Sequence, residues 1–172
     1  MEEDFYSFFV EVLEDQSVFY EFFTDNELSY TIYFNVDEYS QVVDDFPNLL
    51  QKGYAFGFRR RQFIDSSKKV LDPKVFSTIH CIILDFLKKY GSETILLYHC
   101  DVSDKKQACR NKLFDNWEKK IIIDSILIKH SINVALGDNT YFLGFITLQT
   151  NPQIEQVKDE FEEFCVHLIQ SK

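Results

Sequence analysis

Five cations crowd the stretch RRRQFIDSSKKVLDPK, residues 59–74: Arg59, Arg60, Arg61, Lys68 and Lys69. A guanidinium grips phosphate oxygens in pairs, and an ammonium holds them as a point charge. The chemistry open to this cluster is therefore a clamp on a phosphorylated group, set against a plain solvated basic loop. Two His-Cys dipeptides, His80-Cys81 and His99-Cys100, together with Cys165 and His167, carry soft metal-ligand chemistry. Their spacings do not match those of structural zinc sites. On a strand, His99 and Cys100 point to opposite faces, so no metal is expected. Asp101 and Asp104 form a candidate carboxylate pair, with helix capping the simpler use. Ser103 reads as a cap, and no Ser-His-Asp or HExxH pattern is present. No catalytic residue is assigned.

The acids are distributed unevenly. Residues 1–51 hold thirteen Asp and Glu and no Lys or Arg, interleaved with thirteen aromatic rings. Residues 52–120 hold fifteen bases and eight acids, and residues 121–172 three bases and seven acids. The basic middle can neutralise the acidic start across the fold, or the acidic third can form a surface for a basic protein partner. Within that third, Ile32 and its alternating neighbours claim the inward face of a strand. Tyr33 and Tyr39 are left as contact candidates, with Asp37, Glu38, Asp44 and Asp45 as the acids nearest them. A net charge of −10 makes nucleic acid an unattractive partner.

These groups need a frame, and 172 residues at 45% hydrophobic content suffice for one domain with a sizeable core. Five Gly and three Pro leave little room for long linkers. No apolar run approaches a membrane span, and Met1-Glu2-Glu3-Asp4 lacks a basic leader region. The expectation is a soluble cytoplasmic protein whose four cysteines (Cys81, Cys100, Cys109, Cys165) are unbridged and mostly buried.

Along the chain, residues 3–14 carry Phe5, Phe8, Phe9, Val12 and Leu13 at helical spacing, which predicts an amphipathic helix. SVFYEFF and LSYTIYFNV around the turn TDNE predict a hairpin with Leu28, Tyr30, Ile32, Phe34 and Val36 on one face. A short helix or irregular link follows, interrupted at Pro47. GYAFGF, residues 53–58, predicts a strand. Asp72-Pro73 caps the clearest helix, with Gly91 as its stop. Residues 93–100 predict a strand and residues 104–119 a helix. Residues 124–134 and 140–149 predict a second hairpin across LGDN. Asn151-Pro152 opens a last helix, with Ile154, Val157, Phe161, Phe164 and Leu168 inward and Glu155, Asp159, Glu160, Glu162 and Glu163 outward. The predicted fold is α+β: one mostly antiparallel six-stranded sheet flanked by helices. It comprises an acidic aromatic part at 1–51, a core at 53–149 and a C-terminal helix at 151–170.

From residue 53 to 149, the order strand, long helix, strand, helix and two closing strands resembles the core of the GNAT acyltransferase superfamily. The Tyr-x-Phe-Gly-Phe strand (Tyr54, Phe56, Gly57, Phe58) is also similar to that of an uncharacterised bacterial family, which implies no activity. The GNAT resemblance implies an acetyl-coenzyme A site, with a Gly-rich turn before the Asp72 helix and a Tyr general acid on the helix after the next strand. Residues 59–74 contain no glycine, Asp72 places a carboxylate where phosphates would lie, and Phe114 falls at the tyrosine position.

Two main readings follow. One is a non-enzymatic bacterial interaction protein, of the kind that immunity proteins and antitoxins exemplify. It needs no cofactor and offers its acidic aromatic third to a basic partner. The other is a divergent acyltransferase that clamps acetyl-coenzyme A with Arg59, Arg60, Arg61, Lys68 and Lys69. A small-ligand or regulatory module in the sheet's cleft is a third possibility.

Overall fold

The segment with helical spacing at the start of the chain is a strand. In the computed structural model, which describes residues 4–62, 72–100, 115 and 126–171, β1 is Phe8–Val12. It pairs antiparallel with β2, Val18–Phe23, from Phe8↔Phe22 to Val12↔Val18. Five consecutive β-compatible residues beside a waiting partner strand outweigh an apolar spacing that fits one helical face by coincidence.

β3, Leu28–Asn35, completes a three-stranded meander with β2. Its alternation is as the sequence predicts: Ile32 and Phe34 are fully buried on one face, and Tyr33 points to the other. A 3-10 turn at Asp37–Val42 and a one-turn helix α1, Pro47–Leu50, lead to β4, Gly53–Gln62. β4 is longer than expected, because Arg59, Arg60 and Arg61 continue the strand and pair with Thr31, Tyr30 and Ser29.

The helix α2, Pro73–Tyr90, begins as predicted. Asp72 is its N-cap and accepts from the Lys74 backbone N–H at 3.0 Å; Pro73 takes the first helical position. Gly91 ends it with φ at +102°, where a side chain would be strained. β5, Ile95–Cys100, then runs parallel to β4 over Gly53↔Ile95, Tyr54↔Leu96 and Ala55↔Leu97. The hairpin of β6, Leu127–Leu136, and β7, Asn139–Leu148, turns at Gly137-Asp138, with β7 inserted beside β5. The last helix, α3, spans Ile154–Gln170. Asn151 holds its approach by accepting from the Gln153 N–H at 2.9 Å.

The sheet therefore has seven strands in the order β1-β2-β3-β4-β5-β7-β6 and is mixed, in place of the expected six-stranded, mostly antiparallel one. The added strand is β1. The parallel pair arises because an 18-residue helix carries the chain back to the starting end of the sheet before β5. The predicted helix at 104–119 lies outside the described residues except Asp115, which is helical and accepts from Lys129 Nζ at 2.8 Å.

Two cores sandwich the sheet. On one face α2 lays Ile79, Ile82, Ile83, Phe86 and Leu87 over Tyr20, Phe34, Phe56 and Leu96. The Phe86 ring stacks on Phe34 at 3.8 Å between centroids and meets Tyr54 edge-on at 4.9 Å. On the other face α3 sets Val157, Phe161, Phe164, Cys165 and Ile169 against Leu97, Leu143 and Phe145, with α1 alongside. Glu160, expected on the outer face of α3, reaches α1 instead. It accepts from Asn48 Nδ2 at 2.6 Å and the Leu49 N–H at 2.8 Å. A four-residue helix has little stability of its own, so this carboxylate, together with buried Leu49 and Leu50, holds α1 in place.

Phe86→Ala should destabilise the fold by about 3–5 kcal/mol in urea unfolding. Glu160→Ala should cost about 1.5–3 kcal/mol, with Glu160→Gln retaining part of that. An unchanged midpoint for Phe86→Ala would refute its central packing role.

Candidate functional site

The face of β1–β3 turned away from α2 carries two rows of side chains that belong to neither core. Register places Phe9 beside Glu21, then Thr31, then Arg59 on β4; the next row runs Glu11, Phe19, Tyr33 and Gly57. Strand alternation alone produces this, since period two sends Phe9, Glu11, Phe19, Glu21, Thr31 and Tyr33 to one side. Across β1 and β2 acid and ring are set in a checkerboard, Phe9 beside Glu21 and Glu11 beside Phe19. Phe9 is 69% exposed, and Phe23 at the far end of β2 is 48% exposed.

Arg59 shows what this surface does to a guanidinium. Its Cζ lies 5.6 Å from the Tyr33 ring centroid, within cation–π range. The Tyr33 ring occupies the space a Cβ at position 57 would fill, so Gly57 is required for that ring to lie flat. Burial pushes the Tyr33 phenol above its ordinary range, and the Arg59 charge opposes that shift. Arg60 points to the opposite face, where it donates to the Tyr30 hydroxyl. Alternation separates Arg59 and Arg61 from Arg60, so the three do not converge as a clamp. Lys68 and Lys69 lie outside the described residues.

Beside the two rows, a groove of about 450 Å³ is lined by Leu13, Asp15, Ser17, Phe19, Asn35 and Glu38. Here Glu38, one of the acids singled out from sequence, joins the strand face. Asp37 opens the 3-10 turn, and Asp44 and Asp45 are exposed just before α1. Tyr39 faces inward, its ring edge-on to Phe164 at 5.1 Å, and burial raises its phenol pKa strongly. Tyr33, Glu38 and the groove thus form one neighbourhood, Asp44 and Asp45 a second patch near α1, and Tyr39 part of the core. Phe9 and Glu11 were missed from sequence because β1 reads as a helix, and Phe19 and Glu21, on a strand that was predicted, because their row forms only once β1 pairs beside them. Read as a strand, FFVEV carries the alternation directly.

The N-terminus of α2, where a phosphate would sit, is already occupied. Asp72 takes the Lys74 N–H on one oxygen and the Tyr6 hydroxyl on the other, at 2.7 Å. Burial first, and then this bond, push the Tyr6 phenol up to about 12. Asp101, Ser103, Asp104, Cys109 and Phe114 lie outside the described residues. His99 is exposed and Cys100 buried, on opposite faces of β5. Among the described residues no His, Cys, Asp and Glu cluster could hold a metal ion. Cys81, Cys100 and Cys165 form no disulfide, and burial pushes the Cys165 thiol up to about 12, with Glu162 adding to it.

Two titrations check this geometry. The Tyr6 pKa is raised on folding, so the Tyr6–Asp72 bond contributes its full stability below about pH 10 and loses it as pH rises through about 12. Tyr6→Phe should lower stability by about 1 kcal/mol at pH 7 and weaken the loss between those values. In native alkylation at pH 8, Cys81 should react before Cys165, which should stay protected until unfolding. Rapid native labelling of Cys165 would contradict its buried position.

No curated protein and no solved structure matches the chain. A family of unknown function, DUF6169, matches residues 71–163, which run from the cap of α2 through most of α3 and leave β1–β4 outside. With more than half of its length matched, the chain belongs to the DUF6169 family of proteins of unknown function.

Proposed function

We propose that the protein is a non-enzymatic interaction module that presents the acidic, aromatic face of β1–β3 to a basic protein partner. The observation that carries this reading is the pair of rows, Phe9–Glu21–Thr31 and Glu11–Phe19–Tyr33, that belong to neither core among the described residues. Rings supply desolvated contact area, and acids select and steer a cation-bearing partner. Asp15, Glu38, Asp44 and Asp45 extend the negative field around the rows. The immunity- or antitoxin-like role and bacterial setting drawn from sequence are compatible with such a face.

A second reading, a GNAT-like frame binding acyl-coenzyme A, draws on one feature. The β4-α2-β5 crossover places a parallel pair next to the switch to antiparallel β7. Crevices at the carboxyl ends of such strands are favoured ligand sites. The Asp72 carboxylate at the α2 N-terminus, Pro73 and the alternating directions of Arg59, Arg60 and Arg61 weigh against a phosphate clamp there.

Calorimetry with acetyl-coenzyme A should show no saturable heat up to millimolar ligand. A dissociation constant near about 1 μM, roughly −8 kcal/mol, would favour the acyltransferase reading. For the partner captured from a lysate by the immobilised chain, Glu38→Lys with Asp44→Lys should slow association by about tenfold and flatten its salt dependence. Unchanged association in that variant, with binding lost in Arg60→Ala, would place the functional face on the basic strand end.

A further inference from the structure

We propose that the outer edge of β1 is a docking edge that takes an extended basic segment of a partner protein as an additional strand, with an arginine side chain seated between Phe9 and Phe19. This rests on the protein-binding reading above and adds to it the mode of binding and the chemistry of the bound segment.

Three independent observations carry it. The first is the edge itself. β1 ends the sheet, pairs with β2 on one side only and has no strand on its other side among the described residues. Folded proteins guard such edges with lysine, proline or a bulge, because unpaired N–H and C=O groups recruit other strands. β1 has no lysine, proline or bulge, and its one charged residue, Glu11, repels acidic strands but not basic ones; its register with β2 is unbroken from Phe8 to Val12. Phe9, Val10, Val12 and Leu13 are all exposed.

The second observation is a depression of about 180 Å³ next to that edge, lined by Phe9, Val10, Glu11, Phe19, Glu21 and Thr31. Two rings and two carboxylates surround it. A guanidinium meets both demands at once, since its plane stacks on aromatic faces and its fork pairs with carboxylates. The same surface already holds one at its inner end, Arg59 over Tyr33.

The third is charge, which decides between occupants. Two copies paired edge to edge would set two acidic strands side by side, with Glu11 opposite Glu11 in a parallel register or an antiparallel one centred on it, and no base precedes Lys52 to relieve them. Like charges facing each other across paired strands are destabilising. A strand that alternates apolar and basic residues instead offers apolar side chains to Val10 and Val12 on one face and bases to Glu11 and Glu21 on the other. That alternation has the period of a strand added to a sheet edge.

The test uses the full chain and a capped heptapeptide alternating arginine and valine, followed by calorimetry and by amide hydrogen exchange of residues 8–12. Saturable binding with new protection across β1 is expected. The same peptide N-methylated at alternate amides keeps its charge but cannot form the ladder, and should bind about tenfold or more weakly. Glu11→Lys with Glu21→Lys should lose a similar factor, and the milder Glu11→Gln with Glu21→Gln should fall between; circular dichroism verifies the fold of each. If the N-methylated peptide binds equally well and charge reversal still weakens both, strand addition is wrong while the acidic-surface reading stands. If neither peptide binds, and the partner captured from a lysate is also indifferent to these acids, both fall. Concentration-dependent dimerisation abolished by Val10→Lys would assign the edge to a second copy and overturn the proposal.

Discussion

The parallel pairing of β4 with β5 is the constraint from which the rest of the architecture follows. Parallel neighbours cannot be joined by a tight turn, so the chain must return across the sheet, and α2 is that return. Once α2 lies on one face, its apolar stripe needs aromatic and aliphatic partners there. Tyr20, Phe34 and Phe56 on three adjacent strands supply them. The opposite face is left to α1 and α3, whose buried side chains concentrate on β5 and β7. Those two helices do not reach β1 and β2. Among the described residues, this division leaves one end of the sheet without a helix on that face, and that stretch is where the acid-ring rows appear.

Much of the frame was legible because its signals are local. Asp72-Pro73 and Gly91 bound α2 to the residue, since a cap, a fixed φ and a left-handed stop each act within one turn. The alternation of LSYTIYFN and the Gly137-Asp138 turn are equally short-range. The failures are non-local. Nothing within FFVEV says that β2 is waiting beside it, so helical spacing competed on equal terms. Whether β4 and β5 run parallel is likewise decided by the length of the crossover and by which edge β7 takes. The candidate site suffered most. Tyr33 and Glu38 were legible as candidates because they lie beside readable elements, whereas the row that Phe9, Glu11, Phe19 and Glu21 form depends on register. Tyr39 has the same composition signal as Tyr33, yet its ring packs on Phe164. Sequence alone does not distinguish a ring that stays on an open strand face, as Tyr33 does, from one that packs against a helix.

Electrostatics divides the same way between structural and available charge. Asp72, Asp85 and Glu160 are occupied: they hold Tyr6 and the α2 cap, Tyr20, and α1, respectively. Each fixes a group whose displacement would open a core, which is a sufficient reason for a carboxylate to be there. Glu11 and Glu21 differ. Their cross-strand neighbours are Phe19 for Glu11 and Phe9 and Thr31 for Glu21, none of which carries a positive charge. An acid placed beside a ring on an exposed strand contributes little to folding, and its field is directed outward.

The distinction between these two kinds of acid also explains why the chain can tolerate so polarised a composition. Thirteen acids without a base over 51 residues would self-repel if gathered in one place. Asp4, Asp25 and Glu27 sit toward one end of the β1–β3 meander, Asp15 and Glu38 toward the other, and Glu11 and Glu21 between them on a single face. The acids are thus spread along strands held together by buried aromatic contacts such as Tyr20 on Phe34 and Phe22 on Tyr30. Aromatic packing on the α2 side fixes the backbone on which the charges of the other face are mounted. Because period two separates the two faces, the rings that hold the strands do not compete with the acids for position. The sheet can therefore keep an acid-rich surface on one face without weakening the core on the other.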